Sequence, residues 1–191
     1  SECAGTVVGV GPGGERFQVG DEVVGMPASA FRTYLTSATD CLVHKPASLT
    51  MAEAATGPIA FLTAEYGLTS LARMQRGDRV LIHAATGGVG LAAAQLALRA
   101  GAEIFATAGS DEKRACLKQL GVTHVFSSRT LSFADEILAI TGGRGVEIVL
   151  NSLTGEFITE SVRVLGRDGR FVEIGKAGIW TAGQMAAARP D

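Results

Sequence analysis

The sequence Val-Leu-Ile-His-Ala-Ala-Thr-Gly-Gly-Val-Gly at residues 80–90 runs from a mostly apolar stretch directly into a glycine-rich turn. Strong helix formers follow at residues 92–98, and a second apolar stretch follows at residues 103–106. Strand, glycine turn, helix and strand form the βαβ unit whose turn binds a dinucleotide pyrophosphate, because glycine lets backbone N–H groups approach the phosphates. This context favours dinucleotide binding over an ordinary tight turn. The candidate contacts in the turn are Thr86, Gly87, Gly88, Val89 and Gly90.

The composition indicates a folded protein that holds one domain and part of another. Of its 191 residues, 47% are hydrophobic and 19% are charged, and 25 glycines against 5 prolines are typical of a turn-rich α/β chain. The net charge of -2 offers no basic surface to nucleic acid, and no apolar run reaches the roughly 18 residues of a membrane span. We therefore expect neither nucleic acid nor a membrane as a partner.

The cysteines and histidines are isolated from one another. Cys3, Cys41 and Cys116 form no Cys-x-x-Cys pair, so the sequence predicts neither a disulfide framework nor a metal site. They are typical of reduced thiols, and we expect a cytoplasmic protein. His83 lies in a predicted strand, where a hydrogen-bonded core or turn histidine is expected rather than a catalytic one. The start at Ser1, directly before a strand-like run, suggests a piece excised from a longer protein.

Two kinds of segment make up the first 76 residues. Residues 1–46 carry short strand-like runs between glycines, at residues 5–10, 22–26 and 31–36. These runs are too few to close a β domain alone. In residues 47–76, Thr50 and Glu53 form a capping-box pattern that starts a helix, which Gly57-Pro58 interrupts. We predict that this helical segment bridges two domains.

From residue 77 to residue 191, predicted strands alternate with predicted helices. The strands are expected at residues 79–83, 103–106, 124–126, 146–151 and 170–174, and the helices near residues 88–99, 111–120, 132–140 and 155–165. Gly101 and Gly121 follow helix ends, where a left-handed cap favours glycine. Several strands are almost wholly apolar, as a parallel sheet covered on both faces requires. The sequence therefore predicts an α/β fold with a doubly wound parallel sheet of the Rossmann type.

The end of the second strand in this region favours NADPH over NADH. NAD-binding proteins usually place an acidic residue there to hold the ribose 2′-hydroxyl, and this strand end has none. Ser110, Lys113 and Arg114 follow instead, and Ser128 and Arg129 follow the third strand. A 2′-phosphate needs charge-assisted donors of this kind. For Lys113 and Arg114, the alternative to a phosphate contact is an ordinary solvent-exposed helix face. The position near the strand end favours the phosphate contact for Lys113 only.

Two further strand ends carry polar residues. Asn151 could hydrogen-bond the nicotinamide ribose or cap the next helix. Lys176 follows the fifth strand beside Gly175, where a partly desolvated ammonium could polarise or protonate an enolate formed by hydride addition. An exposed lysine after a turn is the alternative, and spacing alone favours it.

Five segments carry a family resemblance: residues 84–90, 127–130, 141–146, 149–153 and 169–176. They resemble the enoyl reductase domains of modular polyketide synthases and animal fatty acid synthase. These domains belong to the medium-chain dehydrogenase/reductase superfamily, whose quinone reductases are the next closest relatives. The Asn-Ser-Leu and Glu-Ile-Gly-Lys segments are the most specific, because quinone reductases as a rule lack that lysine.

The resemblance implies a GroES-like substrate domain, of which residues 1–46 match only the middle, and a Rossmann domain that binds NADPH. It implies hydride transfer to the β-carbon of a trans-2-enoyl thioester carried on an acyl carrier protein, inside a multidomain synthase. Lys176 then matches a candidate proton donor or enolate stabiliser. Ser110, Lys113 and Ser128 match contacts of the 2′-phosphate, and Thr63 matches a residue near the nicotinamide. A free-standing quinone or alkenal reductase and a nucleotide-binding fragment without catalysis are the alternatives.

Overall fold

The structure is a computed structural model that describes residues 1–190 of the chain. Its internal contacts divide the chain into two compact units, Ser1–Leu62 and a second unit that begins at Thr63. The boundary falls within residues 47–76, the segment that the sequence predicts as a bridge.

The first unit is built on a small antiparallel sheet. Around a central β2, its strands are β1 (Cys3–Thr6), β2 (Glu22–Gly25) and β3 (Leu42–His44). The prediction of a strand at residues 31–36 is wrong, because residues 31–34 form bends and residues 35–36 have no regular structure. Phe31 and Tyr34 are exposed, so this apolar stretch packs against no sheet face within the described unit. The predicted first strand is also displaced, since β1 ends before the glycine-rich turns begin.

The helical segment after β3 begins with the predicted capping box. The Thr50 hydroxyl accepts a hydrogen bond from the Glu53 N–H at 3.2 Å, and the Glu53 carboxylate accepts one from the Thr50 N–H at 2.8 Å. These bonds start α1 (Met51–Ala54), and α2 (Pro58–Glu65) begins at a proline, which is favourable in a first helical turn. A π-helical turn, Tyr66–Leu71, continues α2 with a wider winding.

A parallel sheet forms the centre of the second unit. Its five strands in the described chain are β4 (Arg79–Ile82), β5 (Glu103–Ala108), β6 (His124–Ser127), β7 (Val146–Asn151) and β8 (Leu165–Glu173). They lie in the order β6-β5-β4-β7-β8, and every neighbouring pair is parallel. The chain therefore winds outward in both directions from β4, which confirms the predicted doubly wound sheet. The switch point where ligands bind in such sheets lies between β4 and β7.

Helices connect these strands in the predicted alternation. They are α3 (Gly88–Ala100), α4 (Asp111–Gln119), α5 (Phe133–Ile140) and α6 (Glu156–Arg163). Gly101 and Gly121 have φ of 76° and 100°, which confirms the predicted left-handed caps. A further helix, α7 (Ala182–Ala188), was not predicted, because it buries no residue and so carries no apolar period. No helix of the described chain combines the length and apolar character of a membrane span.

The core of the second unit joins the central strands to α5. Leu81, Phe105 and Val149 supply the strand side, and Phe133 and Ile137 supply the helix side, all completely buried. Burial of side chains of this size contributes roughly 1.5–3 kcal/mol each. The strands are thereby held as a rigid support for the loops at their carboxyl ends.

Candidate functional site

The glycine turn joins β4 to α3 at the carboxyl edge of the sheet. A methyl group on Gly90 would lie 2.5 Å from the Ala84 carbonyl oxygen and 2.6 Å from the Ala85 Cα, so only glycine fits there. The Gly87 N–H donates to the same Ala84 carbonyl at 2.8 Å. Ala84 itself has a left-handed φ of 48°, which is uncommon for a residue with a side chain. The start of α3 is thus pressed against the end of the strand.

The first turn of α3 has free hydrogen-bond donors at its amino end. Gly87 caps the helix without a side chain, and the first turn carries no acidic residue. The first N–H groups of a helix have no partner within the helix, and its dipole favours an anion there. Gly87 and Gly88 are exposed, and Thr86 and Val89 are half-buried, so a ligand can reach the turn. Gly90 is buried and acts through packing.

The carboxyl ends of β5 and β6 bring a guanidinium next to a glycine. A methyl group on Gly109 would lie 3.1 Å from Arg129 Nη2 and 3.2 Å from Arg129 Nε. The Ser128 N–H donates to the Ala108 carbonyl at 3.0 Å, which extends the pairing of the two strands past their ends. Arg129 is exposed and pairs with no carboxylate of the described chain. It therefore offers a charged donor at this edge.

The first turn of α4 supplies the other predicted phosphate contacts. The Ser110 hydroxyl caps the helix by accepting from the Lys113 N–H at 3.4 Å. The Lys113 ammonium is exposed and makes no hydrogen bond or ion pair with described residues. Arg114 instead donates to the Ala108 carbonyl at 3.2 Å and pairs with Asp111. Lys113 is thus available to a ligand, whereas Arg114 is occupied.

Asn151 and Glu173 stand opposite each other where β7 and β8 end. Asn151 Nδ2 donates to Glu173 Oε2 at 2.7 Å and to the Leu153 carbonyl at 2.8 Å, while its Oδ1 accepts from the Leu153 N–H at 3.2 Å. The other carboxylate oxygen of Glu173 accepts from the Gly175 N–H at 2.6 Å. Helix α6 is capped by Gly155 without a side-chain bond, so the helix-capping alternative for Asn151 is wrong.

The loop after β8 carries the predicted catalytic residue. Lys176 is exposed and makes no hydrogen bond or ion pair within residues 1–190. Ser152, on the neighbouring loop after β7, has a buried hydroxyl without a hydrogen-bond partner in the described chain. Thr63 lies half-buried on α2, and no hydrogen bond of the described residues ties it to the other predicted site residues.

His83 follows β4 directly and is only 3% exposed. Its Nε2 lies 2.7 Å from Ser161 Oγ, and its Nδ1 lies 3.0 Å from Thr107 Oγ1. Because Ser161 donates to the Phe157 carbonyl, it must accept from Nε2–H, and Nδ1 then accepts from Thr107. Burial lowers the pKa of His83 to about 4. The prediction of a hydrogen-bonded core histidine is confirmed.

Comparison with known proteins places this geometry in a family. The family model described as zinc-binding dehydrogenase matches residues 88–187. The chain is 45% identical over 187 residues to a subunit of the phenolphthiocerol/phthiocerol polyketide synthase of Mycobacterium tuberculosis, covering 98% of this chain and 8% of that protein.

Solved structures narrow the assignment. CurK enoyl reductase superposes with a TM-score of 0.96 at 53% identity, covering 100% of this chain and 57% of that one. The nucleotide-binding subdomain of the enoylreductase domain of PpsC from Mycobacterium tuberculosis superposes with a TM-score of 0.64 at 48% identity, covering 70% of this chain and 76% of that one. The chain belongs to the polyketide synthase enoyl reductases of this family.

As an enoyl reductase segment, the chain spans a small part of its polyketide synthase relatives and just over half of the CurK structure. The matching family model is described as zinc-binding. Within residues 1–190, however, no three His, Cys, Asp or Glu side chains form a group that could hold a metal ion.

Among the residues of this enoyl reductase edge, sequence reasoning missed Glu173. The segment Glu-Ile-Gly-Lys was recognised, and Gly175 and Lys176 received roles, but Glu173 did not. The available signal was an acidic residue at the end of an apolar strand, where parallel pairing brings it beside the end of the neighbouring strand.

Proposed function

We propose that this chain is the cofactor-binding part of an enoyl reductase that uses NADPH to reduce a trans-2-enoyl thioester on an acyl carrier protein. The other domains of a polyketide synthase would be its covalent neighbours and deliver that substrate. The observation that carries the proposal is the edge of the sheet itself. There, a helix start without a side-chain cap, two cations that pair with no carboxylate of residues 1–190, and a lysine after β8 follow strands that end side by side.

The residues at this edge fit the shape and charge of NADPH. The close approach at Gly90 and the bare glycines of the turn leave room for a pyrophosphate against the amino end of α3. Ser110, Lys113, Ser128 and Arg129 would hold the 2′-phosphate, a dianion that favours charge-assisted donors. The buried, unpartnered hydroxyl of Ser152 is a further group that a ligand hydrogen bond would satisfy.

Lys176 is the residue proposed to handle the proton. When bound, the cofactor supplies the hydride. The ammonium of Lys176, which pairs with no side chain that the structure describes, would stabilise negative charge on the thioester oxygen or donate a proton at the α-carbon. Asn151, Gly175 and Thr63 would line the nicotinamide half of the cofactor site.

Stopped-flow loss of NADPH absorbance with a crotonyl thioester tests the proposal. The protein should be the parent enoyl reductase domain, with the flanking sequence at both ends. We expect turnover with the thioester and not with a quinone. Quinone turnover without thioester turnover would support the reductases that are the next closest relatives and would overturn the proposal. The 191-residue chain alone is expected to bind NADPH with weak or no reduction.

A further inference from the structure

Glu173 joins two loops that leave neighbouring strands. One of its oxygens takes the Gly175 N–H after β8, and the other takes the Asn151 amide at the end of β7. Asn151 in turn binds both the N–H and the carbonyl of Leu153. A single carboxylate thus connects the loop that carries Lys176 to the loop that carries Asn151. We propose that Glu173 is a positioning residue for proton transfer by Lys176, an inference that rests on the proposed function.

The anchoring of Lys176 is indirect. Its side chain has no partner in the described chain, and the last strand-type bond before it joins the Ile174 N–H to the Asn151 carbonyl at 2.9 Å. The Gly175 N–H is the next donor along the chain, and Glu173 holds it. The backbone position of Lys176 is therefore set through Glu173.

Gly175 and Glu173 are also matched in shape. A methyl group on Gly175 would lie 2.7 Å from Glu173 Oε1, so the carboxylate occupies the space beside that residue. A side chain at position 175 would displace the carboxylate of Glu173 from the N–H that it accepts, so glycine at this position leaves room for the bond.

The charge of Glu173 suits its two donors. Two N–H groups converge on the carboxylate, and no cationic side chain of the described residues pairs with it. A carboxylate satisfies both donors, since it only accepts hydrogen bonds. A glutamine has one acceptor oxygen and would turn its own NH₂ group toward one of the two donors.

The test uses three variants of the parent enoyl reductase domain: Glu173→Gln, Asn151→Asp and the double variant. Glu173→Gln should lower kcat for the enoyl thioester by about tenfold to a hundredfold, because a small misplacement of a reacting group has effects of that size. The Kd for NADPH should change less than about threefold, since the 2′-phosphate contacts lie at other strand ends. Glu156→Gln, which removes an exposed carboxylate from α6, is the matched control and should retain wild-type kcat.

The double variant separates positioning from general damage. Asn151→Asp alone sets two carboxylates against each other and should be the least active. In the double variant, the glutamine at position 173 can donate to the aspartate at position 151 and still accept the Gly175 N–H. The kcat should therefore recover at least about tenfold over Asn151→Asp. Recovery stays partial because an aspartate at position 151 cannot donate to the Leu153 carbonyl.

The outcomes separate the two proposals. Wild-type protein that does not reduce the thioester overturns the proposed function. Wild-type turnover with unchanged kcat in Glu173→Gln overturns the positioning role alone. A double variant that is no faster than Asn151→Asp, although it melts at the wild-type temperature, also overturns it. If Glu173→Gln does not fold, the comparison of Asn151→Asp with the double variant decides.

Discussion

The guanidinium of Arg129 lies on Gly109, so that a residue after β6 covers the backbone after β5. The absence of a side chain at position 109 permits this contact. Arg129 has no carboxylate partner in the described chain, and Lys113 is equally unpaired. This edge of the sheet thus presents two exposed cations after the ends of neighbouring strands.

Replacing Arg129 should weaken NADPH binding selectively. In Arg129→Gln we expect the Kd for NADPH to rise about tenfold and the Kd for NADH to change less than about twofold, since only NADPH carries the 2′-phosphate dianion. Isothermal titration calorimetry measures both constants. Arg99→Gln, an exposed arginine in the last turn of α3, is the control. Equal weakening of both cofactors would contradict the assignment.

Reversing the charge of Lys113 should reverse the cofactor preference. A carboxylate there would repel the 2′-phosphate and could accept from a ribose hydroxyl, so Lys113→Glu should raise the Kd ratio of NADPH to NADH about a hundredfold. Competition titrations give this ratio directly. Lys118→Glu makes the same charge change in the last turn of α4 and should leave the ratio unchanged. A ratio that moves equally in both variants would mean that only net charge matters.

A methyl group at Gly90 should damage both folding and binding. Gly90→Ala places a Cβ inside the contact distance of the Ala84 and Ala85 backbones, and overpacking of this kind costs about 1–3 kcal/mol in the free energy of unfolding. Urea denaturation measures the loss, and calorimetry should show weaker NADPH binding. Gly9→Ala, which meets open space, is the control. A Gly90→Ala protein with wild-type stability would show that the turn can move away.

The buried His83 should make stability depend on pH. Its pKa is about 4 in the folded protein and near 6.5 when unfolded, so between these values the unfolded state binds more protons. Stability is therefore full above pH 6.5 and falls by about 3 kcal/mol as the pH drops to 4.

Denaturation of wild type and His83→Gln across this range isolates the effect. The variant lacks the titration, so the difference in the free energy of unfolding between the two proteins should shrink as the pH falls. A difference that stays constant with pH would show that His83 does not titrate between the two states.

The Rossmann part of the fold followed from the sequence because its signals are local. The glycine turn, the apolar strands and the helix caps at Gly101 and Gly121 each lie within a few residues. The small antiparallel sheet was harder to predict. Residues 31–36 have strand-like composition, but Leu42–His44 is the segment that pairs with β2. Which segments pair as strands depends on parts of the chain that are far apart in sequence, so composition alone does not determine it.

In the candidate site, too, local sequence predicts some features and the pairing of distant segments determines others. Lys113 pairs with no described residue and Arg114 is occupied, which agrees with the preference for Lys113 that its position at a strand end suggested. The contact of Arg129 with Gly109 and the bond of Asn151 to Glu173 depend on the register between strands, which no local pattern encodes. Whether these residues bind NADPH stays a prediction for the experiments above.

The hydrogen bonds of His83 also have a consequence for motion. They connect Thr107 of β5, His83 beside β4 and Ser161 of α6, and the Nε2–H of His83 would lose its Ser161 acceptor if α6 separated from the sheet alone. Local opening of α6 is thereby costly, so α6 and the two central strands should exchange their amide hydrogens together, as one cooperative unit. The edge strand β6 lies outside this connection.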